Sequence, residues 1–521
     1  MKYIAFFLAA IFVLAIPSVS QGQEPANPDS ALQAILNGIQ GTPLSLQQAV
    51  QIGLKNATSV RKAEAEYLAA SGAERREAGA FDPQLYFNLN YLDQNQPTAS
   101  FFSGAPVLAT QQTNTQSGLR LNLPTGTQLD LALTTLSLHT NSTLAFLNPE
   151  YDLSGSLNIR QPLLGGFWVS ARKQLTQAER TSEAGKARFD QQVVSATADI
   201  ERSYWDLYAA ERNYAVQKLT RDRADAFLNE TSVRAESGLV GPDQVANAKT
   251  FLAQQQLQLL DRSEELDRQS DALASLIGQR PEAENVRFIP TDEPPRDISA
   301  DSVQILVERA VSNNLDLQAA QKDVEAAEAL ASAAGWEALP TVNLVGSLGG
   351  AGLAGTGQEV IILNDTLPVA QSRNFNEGVT QVTKRDFPNW SIGVEVSFPI
   401  GFRAGLGEKD RLNAQVLEAQ QNYVEKSRSL EEQVRSAYRE LVHGKSRLEA
   451  ARDGVDAAQD QVRIGMIEFR NGRSTAFELV RLGEDLAVAE QRYSEALVRT
   501  AKAAATLKQL TSGVYSFSGN H

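Results

Sequence analysis

VVSATADIERSYWDLYAAERNYAVQKLTRDRADAFL, residues 193–228, is answered 234 residues later by SRSLEEQVRSAYRELVHGKSRLEAARDGVDAAQDQV, residues 427–462. Ile200, Leu207, Tyr214 and Leu228 fall on Val434, Leu441, Leu448 and Val462, and Tyr204 falls on Tyr438. Upstream, a second correspondence runs at an offset of 257, where Asn56, Ala63, Ala69, Ala70 and Pro83 return as Asn313, Ala320, Ala326, Ala327 and Pro340. Each copy reads as helix, alternating strand-like segments, a very long helix, a glycine turn and another helix. A length of 521 residues would otherwise suggest several domains. The duplication instead points to two similar halves sharing one structure.

The long helices are read from about Trp168 to Glu236 and from about Gly407 to Arg470, both free of proline. At about 1.5 Å per residue each would run roughly 100 Å, several times an ordinary globular helix. In the second, Val434, Leu441, Leu448, Val455 and Val462 recur every seven residues, with Ala437, Gly444, Ala451, Ala458 and Gly465 between them. A sustained heptad is a coiled-coil seam, and the small residues let a neighbouring helix approach closely.

Between the helices, six segments alternate apolar and polar residues. They are Leu85/Phe87/Leu89/Tyr91, Leu119/Leu121/Leu123, Leu129/Leu131/Leu133, Leu153/Leu157/Ile159, Val342/Leu344/Leu348 and Trp390/Ile392/Val394/Val396/Phe398. Period two with one apolar side describes a strand wet on one face and dry on the other. A soluble sandwich or an outer-membrane barrel would give this pattern. Because these strands join very long helices and not a second sheet, the barrel is favoured. Lipid tolerates no open edge. One chain offers four to six strands, fewer than the eight of the smallest single-chain barrels, so the ring must be shared between copies. The polar segments 93–117 and 349–389 read as long external loops, and 281–299, with its prolines, as the linker between halves.

Met1-Lys2, an apolar run from Ile4 to Ile16 and small residues up to Ser20 match a secretory signal peptide, 1–22. The 62 acidic against 48 basic residues leave a net charge of -14. That argues against a nucleic-acid partner and suits a conduit favouring cations. There is no cysteine, which excludes disulfides, thiolate metal sites and an N-terminal lipid anchor. His139, His443 and His521 stand far apart with no acidic or histidine cluster around them, so no metal site is expected, and no cofactor.

Taken in order and in duplicate, several motifs resemble the TolC-like outer-membrane efflux family of outer membrane factors. They are the openings that end at Pro83 and Pro340, Gln161-Pro162-Leu163-Leu164-Gly165 and Phe398-Pro399-Ile400-Gly401 at strand-to-helix transitions, and the turns Ser237-Gly238-Leu239 and Asn471-Gly472-Arg473. The resemblance covers nearly the whole mature chain. It implies an α+β membrane protein: a homotrimeric outer-membrane β-barrel of 4–6 strands per subunit, continuous with a long periplasmic α-helical coiled-coil barrel. The family's usual four strands per subunit would make a ring of twelve. The first repeat would occupy 23–280, with strands at 84–92, 116–136 and 151–160, the long helix 168–236 and a helix at 242–278. The second would occupy 300–513, with strands at 341–348 and 390–398, the long helix 407–470 and a helix at 475–512, before a tail at 514–521.

The resemblance further implies a passive exit duct in the outer membrane, extending into the periplasm. Its partners would be a periplasmic adaptor (membrane fusion) protein, an inner-membrane transporter and the lipids around the barrel. The turns at Gly238, Leu239, Gly472 and Arg473 would lie at the periplasmic tip and meet the adaptor. Acidic side chains ring the closed entrance in this family. That position matches Glu478, while the next family acid matches Arg481, a departure; Asp243 is what the first turn offers. Small-molecule efflux and type I protein secretion both fit such a duct. A surface coiled-coil protein or adhesin fits the heptads and export but leaves the strands unexplained. An enzyme does not fit: Gly350-Ala351-Gly352-Leu353-Ala354-Gly355 has dinucleotide spacing but no helix opening after it, and reads as a flexible loop.

Overall fold

The computed structural model describes residues 28–295, 301–362 and 365–512. The signal segment 1–22 and the tail 514–521 therefore lie outside the described residues. In chain order the elements are α1 (Pro28–Asn37), β1 (Thr42–Leu44), α2 (Leu46–Asn56), α3 (Thr58–Ala78), β2 (Gln84–Pro97), β3 (Val107–Asn122), β4 (Gln128–Thr140), β5 (Leu147–Leu164), α4 (Val169–Glu236) and α5 (Pro242–Ile277). Then come β6 (Phe288–Pro290), α6 (Val303–Asn313), α7 (Leu315–Glu337), β7 (Thr341–Gly357), the short pair β8 (Ile361–Ile362) and β9 (Asp365–Thr366), α8 (Phe375–Lys384), β10 (Phe387–Ser397), α9 (Arg403–Arg470) and α10 (Ala476–Leu510).

Both sequence offsets reappear in these boundaries. Leu46 to Val303 and Gln84 to Thr341 are 257 apart, and Val169 to Arg403 is 234. The two long helices each have 68 residues. The heptad seam of α9 is its buried side: Val434 and Leu441 are buried, as are Ala437 and Ala458.

One compact unit comprises the described residues of 53–199, 299–439 and 504–521. It holds a six-stranded sheet in the order β10-β7-β5-β4-β3-β2, antiparallel throughout. Against α4, Ala57 and Val60 pack on Ala196. Ion pairs strap α7 to α4: Arg180 to Glu325 at 3.2 Å, Lys322 to Glu183 at 3.0 Å, and Arg188 to Asp323. A hydrogen bond to Glu325 within α7, followed by the one to Glu183, raises the Lys322 amine, and the bonds from Lys322 and then Arg180 lower the Glu183 carboxyl.

The second unit comprises the described residues of 1–52, 200–298 and 440–503. Its core joins Ile200, Tyr204, Trp205 and Leu207 of α4, Leu266, Leu273 and Ile277 of α5, and Leu497 and Val498 of α10. Tyr204 is the hub of a polar lock beside this core. Its hydroxyl accepts from the N–H groups of Thr291 and Asp292 at 3.0 and 3.1 Å. It also lies 3.0 Å from both the Leu44 carbonyl and the Asp292 carboxylate. Burial pushes its phenol far above the ordinary range. Close helix packing uses small residues here: a Cβ on Gly444 would stand 2.6 Å from Thr500 Oγ1, in α10.

Several expectations are corrected. The segment 93–117 is not one loop, because β2 continues to Pro97 and β3 begins at Val107. Likewise 349–389 contains the rest of β7 and the helix α8. In both, the backbone ladder continues after the apolar alternation has ended. Gly350–Gly355 is strand and not flexible loop: Gly155, Gly350 and Gly352 lie under α8, with an added Cβ at Gly155 or Gly350 only 2.7 or 2.9 Å from Val382. The opening helices are each broken in two. At the second break Asn314 leaves helical geometry and its side chain caps α7, accepting from the N–H groups of Asp316 and Leu317 at 3.1 and 3.0 Å. The linker 281–299 carries β6, paired in parallel with β1 from Thr42↔Phe288 to Leu44↔Pro290. The second long helix starts at Arg403, before the expected 407.

Candidate functional site

The first candidate is the sheet, whose register sorts its residues onto two unlike faces. One row of direct partners runs Leu85–Leu119–Leu131–Leu157–Leu348–Trp390, apolar on all six strands. Leu85 is 85% exposed and Trp390 71%, so this apolar face lies open in the isolated chain. Phe87, Leu89, Leu133, Ile159, Leu344, Ile392, Val394 and Val396 extend it. At its far end α8 covers the same face, burying Leu153, Ala354 and Val382 together.

The opposite face is wet. Its matching row runs Gln84–Arg120–Asp130–Asn158–Ser347–Ser391. Arg120 pairs with Asp130 at 2.8 Å, Tyr86 donates to the same carboxylate at 3.2 Å, and the guanidinium lies 4.3 Å over the Tyr86 ring. Arg160 meets Glu395 at 3.0 Å, and the Ser347 and Ser391 hydroxyls share a hydrogen bond of 2.7 Å. The alternation was legible in the sequence; these cross-strand charge pairs were not, because register decides them.

At the strand-to-helix ends, aromatic residues gather in duplicate. Phe398 and Phe402 pack edge to face at 5.1 Å, and Phe167 lies 6.4 Å from Trp168. Trp168 and Phe402, 234 apart, both take positive φ, as do Gly165 and Gly401. Among the described residues no helix is long and apolar enough to cross a membrane, and no three potential ligands cluster for a metal.

The second candidate is the pair of helical hairpin tips. After α4, Gly238 turns at φ +72, its N–H meets the Ala235 carbonyl at 3.0 Å, and the Leu239 N–H meets Arg234 at 2.9 Å. After α9, Gly472 turns at φ +69, its N–H meets Phe469 at 3.0 Å, and the Arg473 N–H meets Glu468 at 2.9 Å. These are matching glycine C-caps, in which a residue without Cβ takes the left-handed geometry. Leu239 is 74% exposed, and Gly472 and Arg473 are exposed too.

Asp243 is exposed in the first turn of α5, beside Pro242. Glu478 and Arg481 are both exposed on α10. No ion pair joins them among the described residues; instead Glu478 accepts the Ser474 hydroxyl at 3.2 Å. Its N–H meets Thr475 Oγ1 at 3.3 Å, one arm of a capping box. Thr475 followed by Glu478 carried that signal in the sequence. A contact with no sequence signal lies between the tips: the Arg234 guanidinium stacks 4.1 Å over buried Phe469 while pairing with Glu230 at 3.0 Å.

The family model for outer membrane efflux proteins matches residues 49–279 and 306–513. Solved outer-membrane channels share the fold at low identity. The outer membrane protein VceC of Vibrio cholerae is 17% identical with a TM-score of 0.62, over 90% of this chain and 96% of that one. The CmeC channel of Campylobacter jejuni is 14% identical at 0.62, over 91% and 87%. The MtrE channel of Neisseria gonorrhoeae, in its open state, is 16% identical at 0.61, over 90% and 89%. No curated protein sequence matches the chain.

Proposed function

The chain belongs to the outer membrane efflux protein family, and on that premise we propose that it is the passive exit duct of a three-part efflux machine. The family is one of transport channels, not enzymes, which sets the adhesin reading aside as well. The reading is that three copies assemble in the outer membrane, with their helices in the periplasm. A periplasmic adaptor delivers small molecules (drugs, toxic compounds or metal ions) from an inner-membrane transporter that supplies the energy.

The observation that carries this reading is the apolar row that crosses all six strands unbroken, exposed on five of them and half-buried at Leu157, with a wet face behind it. Burying such a face in lipid recovers about 25 cal/mol per Å² of apolar surface, while the wet face keeps its water only if it lines a channel. Aromatic residues at the strand-to-helix ends fit the girdle that barrels place at membrane interfaces.

In this reading the hairpin tips form the periplasmic entrance. Gly238, Leu239, Gly472 and Arg473 would meet the adaptor. Asp243, Glu478 and Arg481, exposed at the same tips, would line the closed mouth, with Glu478 and Arg481 pairing between copies. Deleting the gene and restoring it in the native host tests the function. Accumulation of dyes, detergents and metal salts should rise on deletion and fall on restoration. Loss of a secreted protein with unchanged accumulation would replace efflux by protein secretion.

A further inference from the structure

We infer that the barrel is wider than the twelve strands implied by the family resemblance: each copy contributes six, and three copies close a ring of eighteen. This rests on the reading of the chain as a duct of three copies. The duplication supplies the first argument. β2 and β7 begin 257 residues apart, and β5 and β10 lead into the paired long helices, so β2/β5 corresponds to β7/β10. In the second half β7 pairs directly with β10. In the first half β2 and β5 do not pair, because β3 and β4 stand between them.

The inserted hairpin is built as wall and not as an external loop. It pairs with β2 from Gln84↔Arg120 to Pro97↔Val107, and with β5 from Gln128↔Arg160 to Leu138↔Glu150. Its own turn lies at the helix end of the sheet: the Trp168 N–H meets the Thr125 carbonyl at 3.3 Å, and Asn122 donates to Ala80 at 3.3 Å. The hairpin thus reaches the sheet's helix end. It also carries its share of both faces, Leu119 and Leu131 in the apolar row and Arg120 and Asp130 in the wet one. A loop projecting into water would have no reason to present the lipid pattern.

The edges then fix how copies join. Neighbours alternate in direction along all six strands, so β2 and β10 run opposite ways, and among the described residues both have a free edge. β10 of one copy can meet β2 of the next antiparallel, and no unpaired edge remains in lipid. The apolar row ends on Leu85 at one edge and Trp390 at the other, so it continues across each junction. Barrel diameter grows roughly in proportion to strand number, so this exit would be about one and a half times as wide as a twelve-stranded one.

Electron cryomicroscopy of the full-length protein in lipid nanodiscs counts the strands. Eighteen is the expected result; twelve, whether from two copies or from three with β3–β4 outside the wall, overturns the inference. Disulfides give a second readout in a chain with no native cysteine. Leu89→Cys combined in turn with Ile392→Cys, Val394→Cys or Val396→Cys should yield, for one register, a covalent ladder ending at the trimer. Leu89→Cys with Thr115→Cys, direct partners in β2 and β3, should link within one chain; absence of that link would place the hairpin outside the wall. A chain that stays soluble without detergent would refute the duct itself, whereas twelve strands in a membrane ring refute only its width.

Discussion

Replacing Glu211 by Gln should remove most of the pH dependence that one buried carboxyl imposes on folding. Glu211 sits on α4 at 5% exposure, and burial pushes its carboxyl up to about 7, against a smaller pull downward from Arg212. Lys445, at the corresponding place in the second half, is exposed. The folded carboxyl titrates above its unfolded value, so between about 4.3 and 7 the folded chain keeps a proton that the unfolded chain has released. Stability therefore falls as pH rises through that window and levels off above it. At about 1.4 kcal/mol per pH unit, the loss is roughly 4 kcal/mol by pH 8. The amide is neutral at both ends, so Glu211→Gln should match the wild type near pH 4 and exceed it near pH 8, less about 1 kcal/mol for imperfect hydrogen bonding of the amide. Urea midpoints from far-ultraviolet circular dichroism, in one detergent at both pH values, measure the difference. Parallel pH profiles for the two proteins would refute the reasoning.

Tyr204→Phe leaves the N–H groups of Thr291 and Asp292 without their hydroxyl, and should cost about 2 kcal/mol with faster proteolysis in 279–295; an unchanged cleavage rate would contradict the lock. Gly472→Ala forces a side chain into φ +69 with no neighbour to compensate, so a loss of about 1–2 kcal/mol is expected from strain alone, and Gly472→Asn should lose less. Glu478→Ala and Arg481→Ala should each raise single-channel conductance in planar bilayers. Unchanged conductance in both would remove them from the gate.

What the sequence could show was set by how local the cause is. The 68-residue helices and their 234-residue offset were legible because heptads and absent prolines act within a few turns. The helix-side halves of the strands were legible for the same reason, since alternation runs where lipid would. Their far halves were not: from Asp93 in β2, before Gln116 in β3 and from Gly349 in β7 the residues turn polar or glycine while the backbone ladder continues. The β1–β6 pairing, Thr42 with Phe288, joins segments too far apart for any periodicity to announce it. At the tips, sequence found Gly238 and Gly472 through their positive-φ turns. It could not find Arg234 over Phe469, a contact fixed only when two hairpins pack.

The far ends of β3 and β4 have an immunological consequence. On the face that begins with Leu119 and Leu131, β3 goes on to Thr115, Thr113 and Gln111, and β4 to Thr135, Ser137 and His139, held in paired register. In the proposed orientation these are the residues that emerge from the cell surface, and they emerge as pleated sheet. Antibodies raised against linear peptides from 107–115 or 134–140 should therefore bind denatured protein and miss intact cells, while sera raised against the folded assembly should do the reverse. The strand ends at the cell surface are an epitope of shape.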